Sequence, residues 1–177
     1  APTAIPLRAG SYAERMSDER EVLDVLTTNA RESTADIAAQ TGLEEAAVEE
    51  AIAALERRGV VHGYQAVVDW DRAETERVRA IVELNVELDR ETGYEEIADR
   101  IAKFPAVEAL HLVSGDYDFA AEVAGASMQD VSGFVSEQVA PIPEVTQTVT
   151  HYVMETYKDG GVRFGDRDED DRLSVSP

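Results

Sequence analysis

Residues 78–88 read Val-Arg-Ala-Ile-Val-Glu-Leu-Asn-Val-Glu-Leu and decide the fold class of the larger part of this chain. Apolar residues recur at every second position, from Ala80 through Leu84 to Leu88, and polar residues such as Glu83 fall between them. A period of two is typical of a strand with one buried face. The stretch therefore predicts a β-strand whose even-numbered side chains face a core.

The residues that follow alternate between the helical and the extended period. The predicted elements after the first strand are a helix around 94–101, strands over 107–113 and 117–124, a helix over 128–139 and a strand over 145–157. This order predicts a βαββαβ ferredoxin-like domain of the α+β class over residues 78–157. The last strand carries apolar residues on both sides, among them Val149 and Tyr152, so we expect the face away from the helices to meet a partner sheet.

Residues 18–59 show a different pattern, that of three short helices. The stretch Ser33-Thr34-Ala35-Asp36 combines a hydroxyl cap with an early carboxylate and predicts the start of the second helix. Gly42 supplies the positive φ of the turn after it. The third helix ends at Gly59, and its predicted buried face consists of Val48, Ile52 and Leu55. Together these features predict an N-terminal helix-turn-helix of the winged type.

The remaining segments complete the predicted division of the chain. Residues 1–17 form a leader, with Ser17 as the cap of a helix that starts at residue 18. Residues 60–77 form a linker strand, over 60–68, and a charged connector. Residues 158–177 form an acidic, flexible tail.

Composition excludes several classes of protein. The sequence has no cysteine, so thiol chemistry and disulfides are absent. No apolar run reaches the roughly 18 residues of a membrane span, so we expect a cytoplasmic protein without a membrane partner. The net charge is −21, and of the sixteen basic residues only Lys103 and Lys158 are lysine. Dispersed carboxylates with few lysines are typical of proteins from extreme halophiles, where molar salt screens self-repulsion.

Two sequence motifs indicate a family. They are Leu55-Glu56-Arg57-Arg58-Gly59-Val60-Val61, at the end of the third helix, and Val113-Ser114-Gly115-Asp116-Tyr117-Asp118, in the second domain. Over about residues 18–157 the chain resembles the leucine-responsive and asparagine regulators, the Lrp/AsnC family. The resemblance implies binding to double-stranded DNA, a linker strand that joins a homodimer, and a RAM-type domain that binds an amino acid between dimers. Assembly into tetramers or octamers is common in that family.

The resemblance places the DNA contacts on the helix-turn-helix. The exposed side of the third helix carries few side chains long enough to contact DNA bases. Ala51 occupies the position at which the family commonly has arginine. The predicted DNA-binding residues are Arg31, Ser33, Thr34, Glu45, Ala46, Ala47, Glu50, Ala51, Ala54, Arg57 and Arg58. The carboxylates at the start of this helix should repel phosphate. An alternative is therefore an acidic interaction module, or a metabolite sensor, whose helix-turn-helix no longer binds DNA.

The predicted effector site is the loop between the second and third strands of the C-terminal domain. Its residues are Ser114, Gly115, Asp116, Tyr117 and Asp118. The carboxylates could receive the ammonium of an amino acid, or they could only shape an Asx turn.

An enzyme is the competing class, because ferredoxin-like folds host many activities. No paired acids and no nucleophile with a base can be assembled from this sequence, so we expect no catalytic residues and no cofactor. Three histidines, His62, His111 and His151, lie in predicted strands without the spacing of metal ligands, so we also expect no metal.

The charge makes a prediction about folding. At a net charge of −21, self-repulsion destabilises the folded chain in dilute buffer, and screening at 1 M salt shortens the Debye length to about 3 Å. We expect the midpoint of thermal unfolding to rise steeply between 0.1 M and 3 M KCl. Circular dichroism melts over this series measure it, and equal midpoints at both ends would contradict the halophilic interpretation.

Overall fold

The structure is a computed structural model that describes residues 12–73, 75–89 and 92–165. The chain divides between Val67 and Val68 into two compact units. The first is a bundle of three helices and the second is a βαββαβ sandwich, so the predicted fold class is confirmed. Most of the predicted leader, residues 1–11, and most of the predicted tail, residues 166–177, lie outside the described residues.

The N-terminal unit forms around a small apolar core. Its helices are α1 (Tyr12–Thr28), α2 (Thr34–Thr41) and α3 (Glu45–Arg57). The core residues come from all three helices and are Val22, Leu26, Ile37, Ala38, Val48, Ala51 and Leu55. As predicted, the Ser33 hydroxyl caps α2 by accepting from the Asp36 amide at 3.1 Å, and Gly42 ends it with φ 75°.

The first helix begins earlier than predicted. α1 starts at Tyr12, so Ser17 lies inside the helix and does not cap it. Its hydroxyl donates to Glu21, one turn later, at 3.4 Å. A serine tolerates a helix interior when its hydroxyl has such a partner and no glycine or proline interrupts the preceding residues.

The predicted linker strand over 60–68 is not part of any sheet among the described residues. At its start, the amides of Val60 and Val61 donate to the Leu55 carbonyl, at 2.9 and 3.2 Å, and Gly59 adopts φ 65°. These bonds close the C-terminus of α3 in the manner of a Schellman motif. An extended segment becomes a strand only when a neighbouring strand pairs with it, and this unit offers none in the residues described.

The C-terminal unit is a four-stranded antiparallel sheet with helices on one face. Its principal elements are β1 (Val78–Val86), α4 (Tyr94–Ala102), β2 (Val107–Leu112), β3 (Phe119–Gly125), α5 (Met128–Phe134) and β4 (Val145–Tyr152). The strand order is β2-β3-β1-β4. A π-helical segment, Val135–Val139, extends α5 over the remainder of the predicted helix.

The prediction of a flexible tail was wrong for its first residues. A short hairpin pairs β5 (Lys158–Asp159) with β6 (Val162–Arg163), and β4 ends at Tyr152, well before the predicted residue 157. Asp159 accepts from the Arg79 guanidinium on β1 at 3.2 Å, which fixes the hairpin to the sheet. This contact joins residues 80 positions apart, so local composition carries no sign of it.

The alternation of β1 assigns the two faces of the sheet. Ala80, Val82 and Leu84 are almost completely buried against α4 and α5, as predicted. Ile81 points the other way and is 43% exposed. Through the strand register, the open face also contains Glu83 of β1, Ala120 and Glu122 of β3, and Val149 and His151 of β4. It is therefore a mixed surface in which apolar groups lie beside carboxylates.

This open face leads to a prediction about assembly. We expect at least a dimer in about 2 M KCl, with the open face of one copy against that of another. Ile81→Glu would bury a carboxylate beside Glu122 and weaken association on the order of 100-fold. Met128→Glu, at an exposed position on the helical side, is the matched control.

Multi-angle light scattering across a dilution series measures the effect. A monomeric wild type, or equal effects of the two substitutions, would contradict this arrangement.

Candidate nucleic-acid interface and effector site

The structure distributes the predicted DNA-binding residues over three levels of exposure. Exposed residues are Arg31, Ser33, Glu45, Ala46, Glu50, Arg57 and Arg58, and half-buried ones are Thr34, Ala47 and Ala54. All belong to the turn before α2, the start of α2, or α3 and its C-cap. One helix and the turn before its neighbour therefore present most of the predicted set on the surface.

Ala51 is the exception, and its prediction as a DNA contact was wrong. It is 5% exposed and lies in the core between Val48 and Leu55. Residues three and four apart share a helix face, so Ala51 completes the stripe of Val48 and Leu55, and Ile52 is displaced to its half-buried edge. Alanine is compatible with either side of a helix, which is why the pattern did not settle its orientation.

Two of the three arginines among the predicted DNA-binding residues already have carboxylate partners. Arg57 Nη2 lies 2.9 Å from Glu50 Oε1 on the same helix, and both side chains are largely exposed. Arg58 forms an ion pair with Glu19 of α1. Arg31, in the turn before α2, has no carboxylate partner among the described residues. Phosphate would therefore have to displace a carboxylate from Arg57, whereas Arg31 is available for direct contact.

The predicted effector loop is a short connection between two paired strands. The β2–β3 ladder ends at the pair Leu112 and Phe119, and the Val113 amide donates to the Asp118 carbonyl at 2.9 Å. Ser114, Gly115 and Asp116 are exposed, and Tyr117 is half-buried. Gly115 has φ 143°, a conformation that L side chains rarely adopt and that glycine accommodates.

The two carboxylates of the loop have different surroundings. Asp116 has no side-chain partner among the described residues, but its backbone carbonyl accepts from Asn85 Nδ2 at 2.9 Å. Asp118 is half-buried and uses both oxygens: Oδ2 accepts from the Val86 amide at 2.8 Å, and Oδ1 accepts from the Tyr94 hydroxyl at 3.1 Å. Asp118 is thus tied to β1 and α4, whereas the Asp116 side chain faces solvent.

Hydrogen bonding also leaves donors available in the loop. Within the described part of the chain, no backbone acceptor is recorded for the amides of residues 114–117. These amides belong to the same short segment as the exposed Asp116. A loop with an anionic side chain and unpaired N–H groups matches both charged ends of an amino-acid zwitterion.

The histidines form no metal centre among the residues that the structure describes. His151 Nε2 lies 3.2 Å from Glu83 Oε1 on the open face, and His111 and His62 are exposed. No described helix is long and apolar enough to cross a membrane.

Comparison with known proteins supports both units separately. Residues 79–162 match the sequence profile of the Lrp/AsnC ligand binding domain, and residues 19–62 match a winged helix-turn-helix DNA-binding profile. Over 160 residues the chain is 36% identical to the HTH-type transcriptional regulator YugG of Bacillus subtilis, covering 90% of this chain and 96% of the relative. The chain belongs to the Lrp/AsnC family of DNA-binding transcriptional regulators. It is a regulator and not an enzyme.

Other relatives of this Lrp/AsnC regulator are more distant. It is 28% identical over 145 residues to the HTH-type transcriptional regulator LrpA of Pyrococcus abyssi, which covers 81% of this chain and all of the relative. Its fold resembles that of the leucine response regulatory protein of Mycobacterium tuberculosis, with a TM-score of 0.67 at 22% identity over 81% of this chain and 94% of the other. A Neisseria meningitidis regulator in complex with L-methionine gives 0.65 at 19% identity, over 80% and 91%.

Several contacts of the Lrp/AsnC regulator were missed by sequence reasoning. Tyr94 and Asn85 hold the loop, yet they are 24 and 31 residues from their partners. Glu19 pairs with Arg58 across 39 residues. The only available signal was that Tyr94 is a large aromatic residue at an exposed helix start, which does not specify a partner.

The pairing of Arg57 generates a prediction for DNA binding. Glu50→Gln should release Arg57 and tighten DNA binding, because one carboxylate no longer competes with phosphate. Glu49→Gln removes the same charge from the same helix, where no ion pair of Glu49 is found among the described residues, and is the matched control.

Fluorescence anisotropy with labelled duplex at several KCl concentrations measures affinity and its salt dependence. Arg31→Ala should weaken binding on all sequences and reduce the salt slope by about one. Equal affinities of the Glu50 and Glu49 variants would exclude competition by Glu50.

Proposed function

We propose that this Lrp/AsnC regulator senses an amino acid at the loop 114–117 and transmits its presence to the binding of double-stranded DNA by α2 and α3. The observation that carries the proposal is the exposed Asp116 carboxylate on a loop whose ends are anchored. Asp116 would accept the ammonium group, and the unpaired amides of residues 114–117, or those of a neighbouring copy, would hold the carboxylate.

The assembly in this proposal is a homodimer formed through the open sheet faces, with tetramers or octamers as higher states. Support comes from the mixed apolar surface around Ile81 and Val149. The segment 60–68 is the second contribution, because Val60, Tyr64 and Val67 are each between 45% and 48% exposed and no strand of this unit pairs with them in the described residues. Pairing with the same segment of a second copy would complete the linker strand.

The surroundings in this proposal are the cytoplasm of an organism with molar internal salt. Counterion release contributes little to DNA binding there, because bulk salt is already high. Cations held between carboxylates and phosphates would bridge the acidic start of α3 to DNA, while Arg31 makes a direct contact. This arrangement reconciles Glu45 and Glu50 with a DNA-binding surface.

A second candidate function is a sensor or interaction module that no longer binds DNA. The ion pairs of Arg57 and Arg58 favour it, since they engage two of the predicted DNA-binding arginines with carboxylates. Family membership favours the regulator, and DNase footprinting in about 2 M KCl on the promoter of the chain's own gene distinguishes the two.

The effector site generates a direct prediction. Asp116→Asn removes one charge-assisted hydrogen bond, worth about 1.5 to 3 kcal/mol, and should weaken amino-acid binding roughly 10- to 150-fold. Gly115→Val should abolish amino-acid binding altogether, because a β-branched residue does not adopt φ 143°. Glu137→Gln, an exposed carboxylate of the π-helical segment, is the control.

Isothermal titration calorimetry against the twenty amino acids, in about 2 M KCl, is the measurement. If one amino acid binds the wild type and all three variants equally well, the site lies elsewhere. If none binds the wild type, the effector function of this loop is refuted.

A further inference from the structure

We propose that Tyr94 is a positioning residue for the loop 114–117, and that it acts through Asp118, which holds the loop and does not contact the effector. This inference rests on the effector function proposed above. It divides the two loop carboxylates into one for the ligand, Asp116, and one for the scaffold, Asp118.

The first argument is the use of the Asp118 carboxylate. Its two oxygens accept from groups on two different elements, the Val86 amide at the end of β1 and the Tyr94 hydroxyl at the start of α4. The Asp118 amide donates in turn to the Leu84 carbonyl at 2.9 Å. A carboxylate engaged in this way fixes the backbone on which it stands, and each of its two oxygens already has a partner within the chain.

The second argument is that the other side of the loop is tied to the same strand. Asn85 donates to the Asp116 carbonyl at 2.9 Å, while its own carbonyl accepts from the Thr146 hydroxyl on β4 at 3.1 Å. Three consecutive residues of β1 thus hold this region: Asn85 bonds to Asp116 within the loop, and Leu84 and Val86 bond to Asp118 at its end. Among the described residues, Tyr94 is the only helical residue that bonds to this region, and its partner is Asp118.

The third argument is that the Tyr94 hydroxyl is itself held in place. The ring of Tyr94 packs edge-on against Phe119, with centroids 5.8 Å apart and planes at 71°. Phe119 is 1% exposed, so it offers a rigid support. The hydrogen bond to Asp118 raises the pKa of the Tyr94 phenol, and the carboxylate charge adds to this. The phenol therefore stays protonated, and keeps donating, throughout the neutral pH range; the bond is lost only when the pH rises above this raised pKa.

An anchored loop binds its ligand more tightly than a mobile one, because less ordering is left to occur on binding. Removing the Tyr94 hydroxyl should therefore weaken the binding of the effector, although no group that contacts the effector is removed. Tyr94→Phe keeps the ring against Phe119 and deletes only the donor. We expect amino-acid affinity to fall about tenfold, as for the loss of one hydrogen bond to a charged group.

The matched control is Tyr152→Phe. Tyr152 also donates a phenolic hydrogen bond in this unit, to the Met128 carbonyl at 3.0 Å, but on the helical side of the sheet. The Tyr152→Phe variant should lose thermal stability to the same small extent as Tyr94→Phe, with no loss of affinity for the amino acid. A merely structural role of Tyr94 would make the two variants alike in both measurements.

Asp118→Asn tests whether the carboxylate acts by geometry or by charge. An asparagine oxygen can still accept from Val86, and its amide nitrogen can donate to the Tyr94 oxygen, so positioning is retained while the charge is lost. We expect Asp118→Asn to bind the effector within about threefold of the wild type, and Asp116→Asn to bind at least tenfold more weakly. Equal losses in the two variants, or wild-type affinity of Tyr94→Phe, would overturn the proposal.

The ligand-free protein gives a readout that does not depend on the effector. Amide hydrogen exchange by NMR, in about 2 M KCl, should be faster in Tyr94→Phe than in Tyr152→Phe at three hydrogen-bonded amides, those of Val86, Val113 and Asp118. If no amino acid binds the wild type, the effector function fails, and the exchange rates alone decide whether Tyr94 positions the loop. Equal rates in the two variants would refute that positioning.

Discussion

The pairing of β1 on both of its edges is the constraint on which the C-terminal unit depends. Antiparallel ladders with β3 and β4 fix the direction of each successive side chain of this strand. A shift by one residue would exchange Leu84 for Glu83 in the core, so the register is strongly determined. The same ladders end together near Val86, which is why three residues at that end can hold the effector loop. Core, open face and candidate site are thus three consequences of one register.

In the N-terminal unit, the physical problem is how an acidic helix approaches a polyanion. The ion pair of Arg57 with Glu50 is exposed on both sides, and exposed pairs contribute about 0 to 1 kcal/mol. Exchange of a carboxylate for a phosphate therefore costs little at high salt, where both contacts are screened. Recognition would then rest on shape and on apolar contacts such as those of Ala46 with thymine methyl groups, and less on net charge.

Patterns with a clear period predicted the fold well. The alternation from Ala80 to Leu84 and the glycine turns at Gly42 and Gly115 all specify local geometry, and the structure agrees with them. Ala51 was misplaced because a small apolar side chain satisfies either face of a helix. The start of α1 was misplaced because serine serves both as a cap and, with a local partner, as an interior residue.

The sequence predicted the segment that forms the candidate site, but not the hydrogen-bond partners of its residues. A glycine followed by two carboxylates indicates a loop, and sequence reasoning could not tell Asp116 from Asp118. Their difference depends on Tyr94, which lies 24 residues away from Asp118 and reaches it only because β1 and α4 are folded. Contacts of this kind arise from tertiary packing and leave no periodic trace.

The hairpin of β5 and β6 has a consequence for the choice of partner. Asp159 bonds to Arg79, whose side chain belongs to the open face, so the hairpin borders the surface on which a second sheet would pack. In the proposed dimer, each copy would have to leave room for the hairpin of the other. A related chain with a longer hairpin would meet this border in the proposed dimer, so the hairpin would favour pairing between identical copies.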